Sequence, residues 1–263
     1  MPTLWSAGQL EFEALGSRKV TASFDGGAIT SNAGALLLRQ TDRRIGLTRQ
    51  AAACFRDGRD QELIEHSLET LIAQRVHGIA LGYEDLNDHD ELRHDPVLGL
   101  LSGKLTARRS GCAVLAGKST LNRLEHAPSS DNERYRKISV NENAMKDLFV
   151  SLFIQGRTTA PRRLILDLDA TDDPIHGEQE DRFFHGYYKC YCYLPLYIFC
   201  GRELLAAKLR PANIDASAGA KDEIAFIVAR LRQKWPDVDI WLRADSGFCR
   251  EELMSWRSSS VVR

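Results

Sequence analysis

Long hydrophobic runs are missing from this chain. No apolar stretch approaches the roughly 20 residues that cross a bilayer, so no membrane partner is expected. The start, Met1-Pro2-Thr3-Leu4-Trp5, lacks a basic segment followed by an apolar one. No export signal is expected, and the expected location is the cytoplasm. An excess of charge of either sign is missing too. Lys and Arg number 35 against 36 Asp and Glu, a formal net charge of −1. Composition therefore gives no support for a polyanionic partner, and any such contact must come from local basic faces. Internal repeats and low-complexity tracts are absent. The six cysteines, Cys54, Cys112, Cys190, Cys192, Cys200 and Cys249, are scattered, which suits reduced thiols better than a disulfide framework. What remains is 263 residues with 43% hydrophobic and 27% charged content, enough for one large globular domain or two ordinary ones.

Two apparent motifs fail on inspection. Gly117-Lys118-Ser119-Thr120 ends like a phosphate-binding loop, but the glycine required five places before Gly117 is Cys112, and Gly111 is one place too early. No strong apolar strand precedes it, so nucleotide hydrolysis is rejected. Cys190 and Cys192, near His176 and His185, hint at zinc. Cys-x-Cys on a strand points both sulfurs to one face and forms no knuckle, so a zinc site is not expected. Asp88-His89-Asp90 with His94-Asp95 reads as a solvated polar loop.

Along the chain, residues 19–30 read as a short strand and a turn. Ser31-Asn32 can cap a helix over 33–43. Residues 62–81 carry Ile64, Leu68, Leu71, Ile72, Val76 and Ile79 at helical spacing, with Gly82 as the stop. Residues 86–96 are polar and turn-rich. Short helices are predicted over 96–101 and 119–125, a linker over 128–134 and a longer helix over 141–155. After Pro161 the period changes. Residues 164–168 form a buried-strand run. Residues 187–200 read as one long aromatic strand, and 203–209 as another after a Gly201-Arg202 turn. A helix capped by Asp215 or Ser217 follows, with Ile224, Ile227, Val228, Leu231 and Trp235 inward. Pro236 ends it, and a fourth strand covers 238–244.

This β-β-β-α-β order makes the helix a crossover. If the fourth strand lies beside the first and parallel to it, Asp169 and Asp245 stand side by side at one sheet edge. Neighbouring strands are about 4.8 Å apart, and metal ions in two-metal sites about 3.5–4 Å apart. The pair therefore suits divalent-metal phosphoryl transfer on nucleic acid. The plainer alternative is that each aspartate only caps the turn that follows it. Asp167 competes with Asp169, because residues two apart on a strand share a face. Asp169 is favoured as nearer the strand end and followed by Ala170-Thr171. The basic stretch Lys104, Arg108, Arg109, Lys118 and Arg123 is the candidate DNA contact, with residues 119–125 as a short recognition helix; a solvated basic surface is the alternative.

The chain also resembles the DDE transposases of bacterial insertion sequences, specifically the thirteen-eighty insertion-sequence family. The matching stretches cover nearly the whole chain. They include Phe24-Asp25-Gly26-Gly27, the run from Ala80 to His89, Leu92-Arg93-His94-Asp95-Pro96, Leu166 to Thr171, Phe184-His185-Gly186-Tyr187-Tyr188, Asn213-Ile214-Asp215-Ala216-Ser217 and Leu242 to Phe248. The resemblance implies cleavage and strand transfer at the element's terminal inverted repeats. It implies two divalent ions, Mg²⁺ with Mn²⁺ as substitute. Duplex DNA would be the partner, a homodimer would act on it, and the location would be the bacterial cytoplasm at the nucleoid. Asp-x-Thr places the first catalytic and metal-binding aspartate on Asp169, and Asp-Ser-Gly-Phe places the second on Asp245.

The resemblance also implies a third carboxylate, a glutamate on a helix well beyond the second aspartate. The chain stops at Arg263, its residues 255–263 do not look like the family's continuation, and Glu251 and Glu252 follow Asp245 too closely. The expectation is a C-terminally truncated, inactive copy. The alternative is a non-catalytic DNA-binding remnant or transposition inhibitor. The expected fold is α+β: a mainly helical, DNA-binding region over 1–155, then an incomplete ribonuclease-H-like mixed-sheet catalytic domain over 156–263.

Overall fold

The computed structural model describes residues 10–22, 30–128, 137–259 and 262. The expected linker over 128–134 and the Phe24-Asp25-Gly26-Gly27 turn lie almost wholly outside these. Two compact units divide the chain, Met1–Val140 and Asn141–Arg263.

The first unit is mainly helical. β1 (Leu10–Leu15) and β2 (Arg18–Ala22) form a hairpin. α1 (Leu36–Ile45) and α2 (Leu47–Ala52) follow, separated by Gly46 in the left-handed region, φ 71°. Asn32 does not cap this segment with its side chain; its own N–H bonds to Thr30 Oγ1. β3 (Phe55–Asp57) pairs with the later β4. α3 (Leu68–Ala80) is the central helix, and it packs on α2, on α5 (Pro96–Leu101) and on α6 (Lys118–Glu125). α4 (His89–Leu92) and β4 (Ile138–Val140) complete the unit.

α3 begins later than its apolar spacing predicts. Ser67 caps it by accepting from Thr70 N–H at 3.2 Å. The preceding carbonyls of Gln61, Leu63 and Ile64 are instead bound by the guanidinium groups of Arg108 and Arg109. Those arginines offer residues 61–64 an alternative to helical hydrogen bonding. Ile79, counted in the inner stripe, is exposed.

The second unit opens with α7 (Glu142–Gln155), capped by Asn141 through Ala144 N–H. Sequence reading groups this helix with the N-terminal region. Its Val150 and Phe153 are instead buried in the second unit's core, because β10 and α8 offer its apolar side a partner. β5 (Arg163–Ala170) starts the sheet. β6 (Asp173–Pro174), β7 (Phe183–His185) and β8 (Cys190–Tyr193) make a separate small sheet. β9 (Leu196–Cys200) and β10 (Glu203–Lys208) return to the main one. The expected long strand over 187–200 is thus two strands in two sheets. It breaks at Leu194-Pro195, where proline has no N–H for a ladder.

α8 (Ala220–Lys234) crosses back, β11 (Asp239–Arg243) joins the sheet and α9 (Glu251–Ser259) ends the described helices. Neither Asp215 nor Ser217 caps α8. Its N-cap is Gly219 in the left-handed region, and Asp215 instead closes a tight turn with Ser217. The main sheet runs β10-β9-β5-β11, with β5 and β11 parallel and the other pairs antiparallel. Leu164, Leu166 and Leu168 of β5, Ile198 of β9 and Ile240 of β11 are buried with Ile224, Ile227 and Leu231 of α8. The alternate residues of β5, Ile165 and Asp169, stay exposed on the opposite face. No helix among the described residues is long and apolar enough to cross a membrane.

Candidate active site

The register of β11 on β5 decides the geometry. Leu242 pairs with Leu166 and Arg243 with Asp167. Asp245 and Asp169 each lie two residues further along, so continuing the ladder brings them opposite one another at the same end of neighbouring strands. Both are exposed. Asp167, the competitor, holds Arg243 in a two-point ion pair. Among the described residues Asp169 makes no ion pair. Asp245 caps the tight turn Ser246–Phe248, its Oδ1 accepting from Gly247 N–H at 2.8 Å. The capping alternative raised by Asp-Ser-Gly is therefore realised, and it orients the carboxylate through one oxygen only.

The turn after Asp245 is anchored on both sides. Phe248 is buried in the core. Arg250 reaches Asp215 Oδ2 at 2.7 Å, and Asp215 Oδ1 accepts from Ser217. Ser217 and Arg250 together hold the Asp215 carboxyl down at about 2. Buried Arg210 donates to the carbonyls of Leu194, Ala216 and Ala218, which fixes the loop carrying Asp215. The Asn213–Ser217 motif thus braces the Asp245 turn. A cavity of about 160 Å³ lies beside Asp245, lined by Leu168, Leu242, Phe248 and Leu253 among others.

Sequence reasoning missed the aromatic residues around the pair. Tyr197 is the ladder partner of Asp169 across β9 and shares its face. Tyr188 donates its hydroxyl to the Ala170 carbonyl at 3.3 Å. Burial raises the Tyr188 pKa, helped by the charges of Asp172, Asp169 and Asp245, so this phenol lies within the field of the acid pair. Only the run of aromatics at 183–191 signalled this, and nothing local says where it folds.

Among the described residues no group of three or more His, Cys, Asp or Glu is placed to hold a metal ion. Cys192 is buried, and burial together with neighbouring Cys190 pushes its thiol to about 11. The Asp88–Asp95 segment is not the solvated loop its composition suggests. His89 is fully buried and meets Gln74 Nε2 through Nδ1 at 3.1 Å, while Gln74 also binds the Ala116 backbone at both its N–H and its carbonyl.

The basic residues divide. The Lys104 side chain is only 14% exposed, and its ammonium donates to Glu65 Oε1 at 2.6 Å and to the Glu65 carbonyl. Glu65 also accepts from the Arg108 and Arg109 backbone N–H groups. Lys104 thus serves as an internal tether of the loops, where charge pattern alone suggests a phosphate contact. Arg108 and Arg109 are exposed while bonding carbonyls of residues 61–64. Lys118 and Arg123 are exposed on α6, whose Leu121 and Leu124 face inward. With Ser119 and Asn122 they line an open groove against Leu86 and Asn87.

The strand order third-second-first-fourth, with a helical crossover into a parallel fourth strand, defines a mixed sheet of the ribonuclease-H-like class. The chain belongs to the family described as transposase DDE domain group 1, whose model matches residues 12–263. The match includes the 255–263 segment that sequence reading set apart. No curated protein matches the chain. A chain of the crystal structure of a pre-cleavage Mos1 transpososome is similar at 10% identity, covering 68% of this chain and 56% of that one, with a TM-score of 0.26. This chain thus corresponds to little more than half the length of that structural neighbour.

Proposed function

We propose that this protein is an insertion-sequence DDE transposase that cleaves and joins DNA at terminal inverted repeats, with Asp169 and Asp245 as its metal-binding carboxylates. The observation that carries the reading is the parallel β5–β11 register, which aligns these two exposed aspartates at one strand end. Family membership supports the reaction class and a divalent metal. The donor set fits a hard cation. Both groups are carboxylates, Asp245 keeps Oδ2 beyond its turn bond, and Mg²⁺ uses few protein oxygens because it retains water. When bound, divalent ions supply charge neutralisation at the phosphate and acidify the attacking water or 3′-hydroxyl. The chain's own residues hold and orient. Gly247 N–H fixes the Asp245 carboxylate, Arg243 occupies Asp167, and the Asp215–Arg250 pair braces the turn. Lys118 and Arg123, with Arg108 and Arg109, are the proposed contacts to duplex phosphates.

The test is an in vitro assay on DNA carrying the element's ends, with Mg²⁺ or Mn²⁺. Cleavage or strand transfer abolished by Asp169→Ala and by Asp245→Ala is the expected result. Activity surviving either change would sink the assignment. DNA binding without any cleavage would favour the alternative of a non-catalytic DNA-binding protein.

A further inference from the structure

The turn between β7 and β8 ties an aromatic side chain, Tyr188, to the end of the strand that carries Asp169. It is closed by Lys189 N–H donating to the His185 carbonyl at 2.8 Å. Lys189 sits at φ 56°, a region that residues with side chains enter at a cost. Tyr188 is tucked inward. It packs beside Cys192, Leu194 and Ala212, its ring lies 4.9 Å from His185, and its hydroxyl is tied to the Ala170 carbonyl next to Asp169.

Tyr187, the neighbour, does the opposite. Its side is 82% exposed, yet its ring stands 5.0 Å from the Tyr188 ring and edge-on to it at 87°. The ring is thus braced at one side and open to solvent on most of its surface. Among the described residues no packing contact uses that surface. The exposed Lys189 ammonium is two residues away.

We propose that Tyr187 is a stacking platform for an unpaired nucleobase of the DNA strand whose phosphate is handled at Asp169 and Asp245. The inference rests on the transposase reading and specifies what that site holds beyond the phosphate. A flat ring accepts any base face, so the contact is indifferent to sequence, and a nearby lysine serves the adjoining phosphate. A base inside a duplex is already stacked and must be extruded first, so single-stranded or frayed DNA is the preferred ligand. Tyr188 is the positioning residue that carries the platform, through its bond to the strand bearing Asp169.

The experiment uses the full chain and a labelled twelve-residue oligothymidine with 2-aminopurine at its centre. Binding is read by anisotropy, and stacking by 2-aminopurine quenching. Tyr187→Ala should weaken single-strand binding about 5- to 150-fold, the range for losing one stacked base. It should reduce quenching and leave blunt-duplex binding unchanged. Tyr187→Phe and Tyr187→Trp should restore both signals, since only the ring matters. Asp169→Asn with Asp245→Asn should keep the quenching while abolishing cleavage, which separates a failure of the platform from a failure of the acid pair. Single-strand binding by Tyr187→Ala equal to wild type would overturn the proposal. So would a loss that neither aromatic substitution restores.

Discussion

Glu65 and His66 show how much a pair of adjacent side chains can decide. Lys104, together with the Arg108 backbone N–H, draws the Glu65 carboxyl down to about 2. Burial, and then the Lys104 charge, lowers His66 to about 4. Both folded values lie below the ordinary ones, 4.5 and 6.5. The unfolded chain therefore binds protons first as pH falls, and both groups contribute stability only at higher pH. His66 contributes fully above about pH 6.5, and that contribution is lost toward pH 4. Glu65 follows between about pH 4.5 and 2. His77 and His89 are lowered as well, chiefly by burial, and act in the same direction as His66. The midpoint of thermal unfolding should fall in two stages on acidification, and Glu65→Gln should shrink the lower stage, to which Asp215 also contributes. A lower stage unchanged in that variant would refute the assignment. At the same scale, Gly78 allows α3 to lie against the His89 ring. A methyl there would meet ring atoms at 2.8 and 3.0 Å, inside a fully buried network. Gly78→Ala should destabilise the first unit by about 1–3 kcal/mol, measured by urea denaturation.

Among the elements, the short turn Ser246–Phe248 matters most to the site. A methyl on Gly247 would sit 2.9 Å from Asp245 Oδ1 and 3.5 Å from the Ala216 side chain. The carboxylate would have to turn away, because Ala216 limits movement on the other side. Gly247→Ala should therefore weaken Mn²⁺ binding, by about tenfold or more if it acts as the loss of an orienting contact does. The fold should survive, since Phe248 still fills the core. Calorimetric titration with Mn²⁺ gives the comparison, and wild-type affinity would show that the turn does not orient Asp245. The β7–β8 turn and the Asn213–Ser217 loop belong to the same scale. Each is short and irregular, and each is held by a few named bonds together with one apolar anchor, Tyr188 or Ile214, on the Cys192–Leu194–Ala212 cluster.

For the molecule as a whole, a net charge of −1 leaves DNA attraction to local faces. Lys118 and Arg123 stand on α6 beside an open groove, Lys118 with exposed contacts to Asp90 and Asn87, whereas Arg108 and Arg109 hold the 61–64 backbone. The two pairs should separate experimentally. Lys118→Ala/Arg123→Ala should lower the slope of log affinity against log salt by about 0.9 per lost phosphate contact, with little change in melting temperature because the Lys118–Asp90 pair is solvent-exposed. Arg108→Ala/Arg109→Ala should lower the melting temperature as well, because three backbone carbonyls lose their donors. An unchanged salt slope in the first double variant would move the DNA surface elsewhere.

Much of this was legible in the sequence because local patterns report burial. The apolar runs at 164–168 and 238–244, the inward stripe of α8 and the Asp-x-Thr and Asp-Ser-Gly-Phe stretches lead directly to β5, β11, the crossover and the two aspartates. The strands and the crossover depend on periods of two and 3.6 residues, which the chain carries wherever it folds, whereas the two aspartate stretches were singled out by strand-end position and by the family resemblance. Tertiary structure alone decided the fate of the polar and aromatic residues. Lys104 resembles a phosphate ligand until Glu65, 39 residues away, takes its charge. His89 resembles loop until Gln74 and the Ala116 backbone enclose it. Tyr187 and Tyr188 resemble a strand until the break at Pro195 and the turn at Lys189 bring Tyr188 to Ala170 and leave Tyr187 exposed. Each outcome rests on a partner distant in sequence, because hydrogen bonds and ion pairs are satisfied by whatever the topology places within reach.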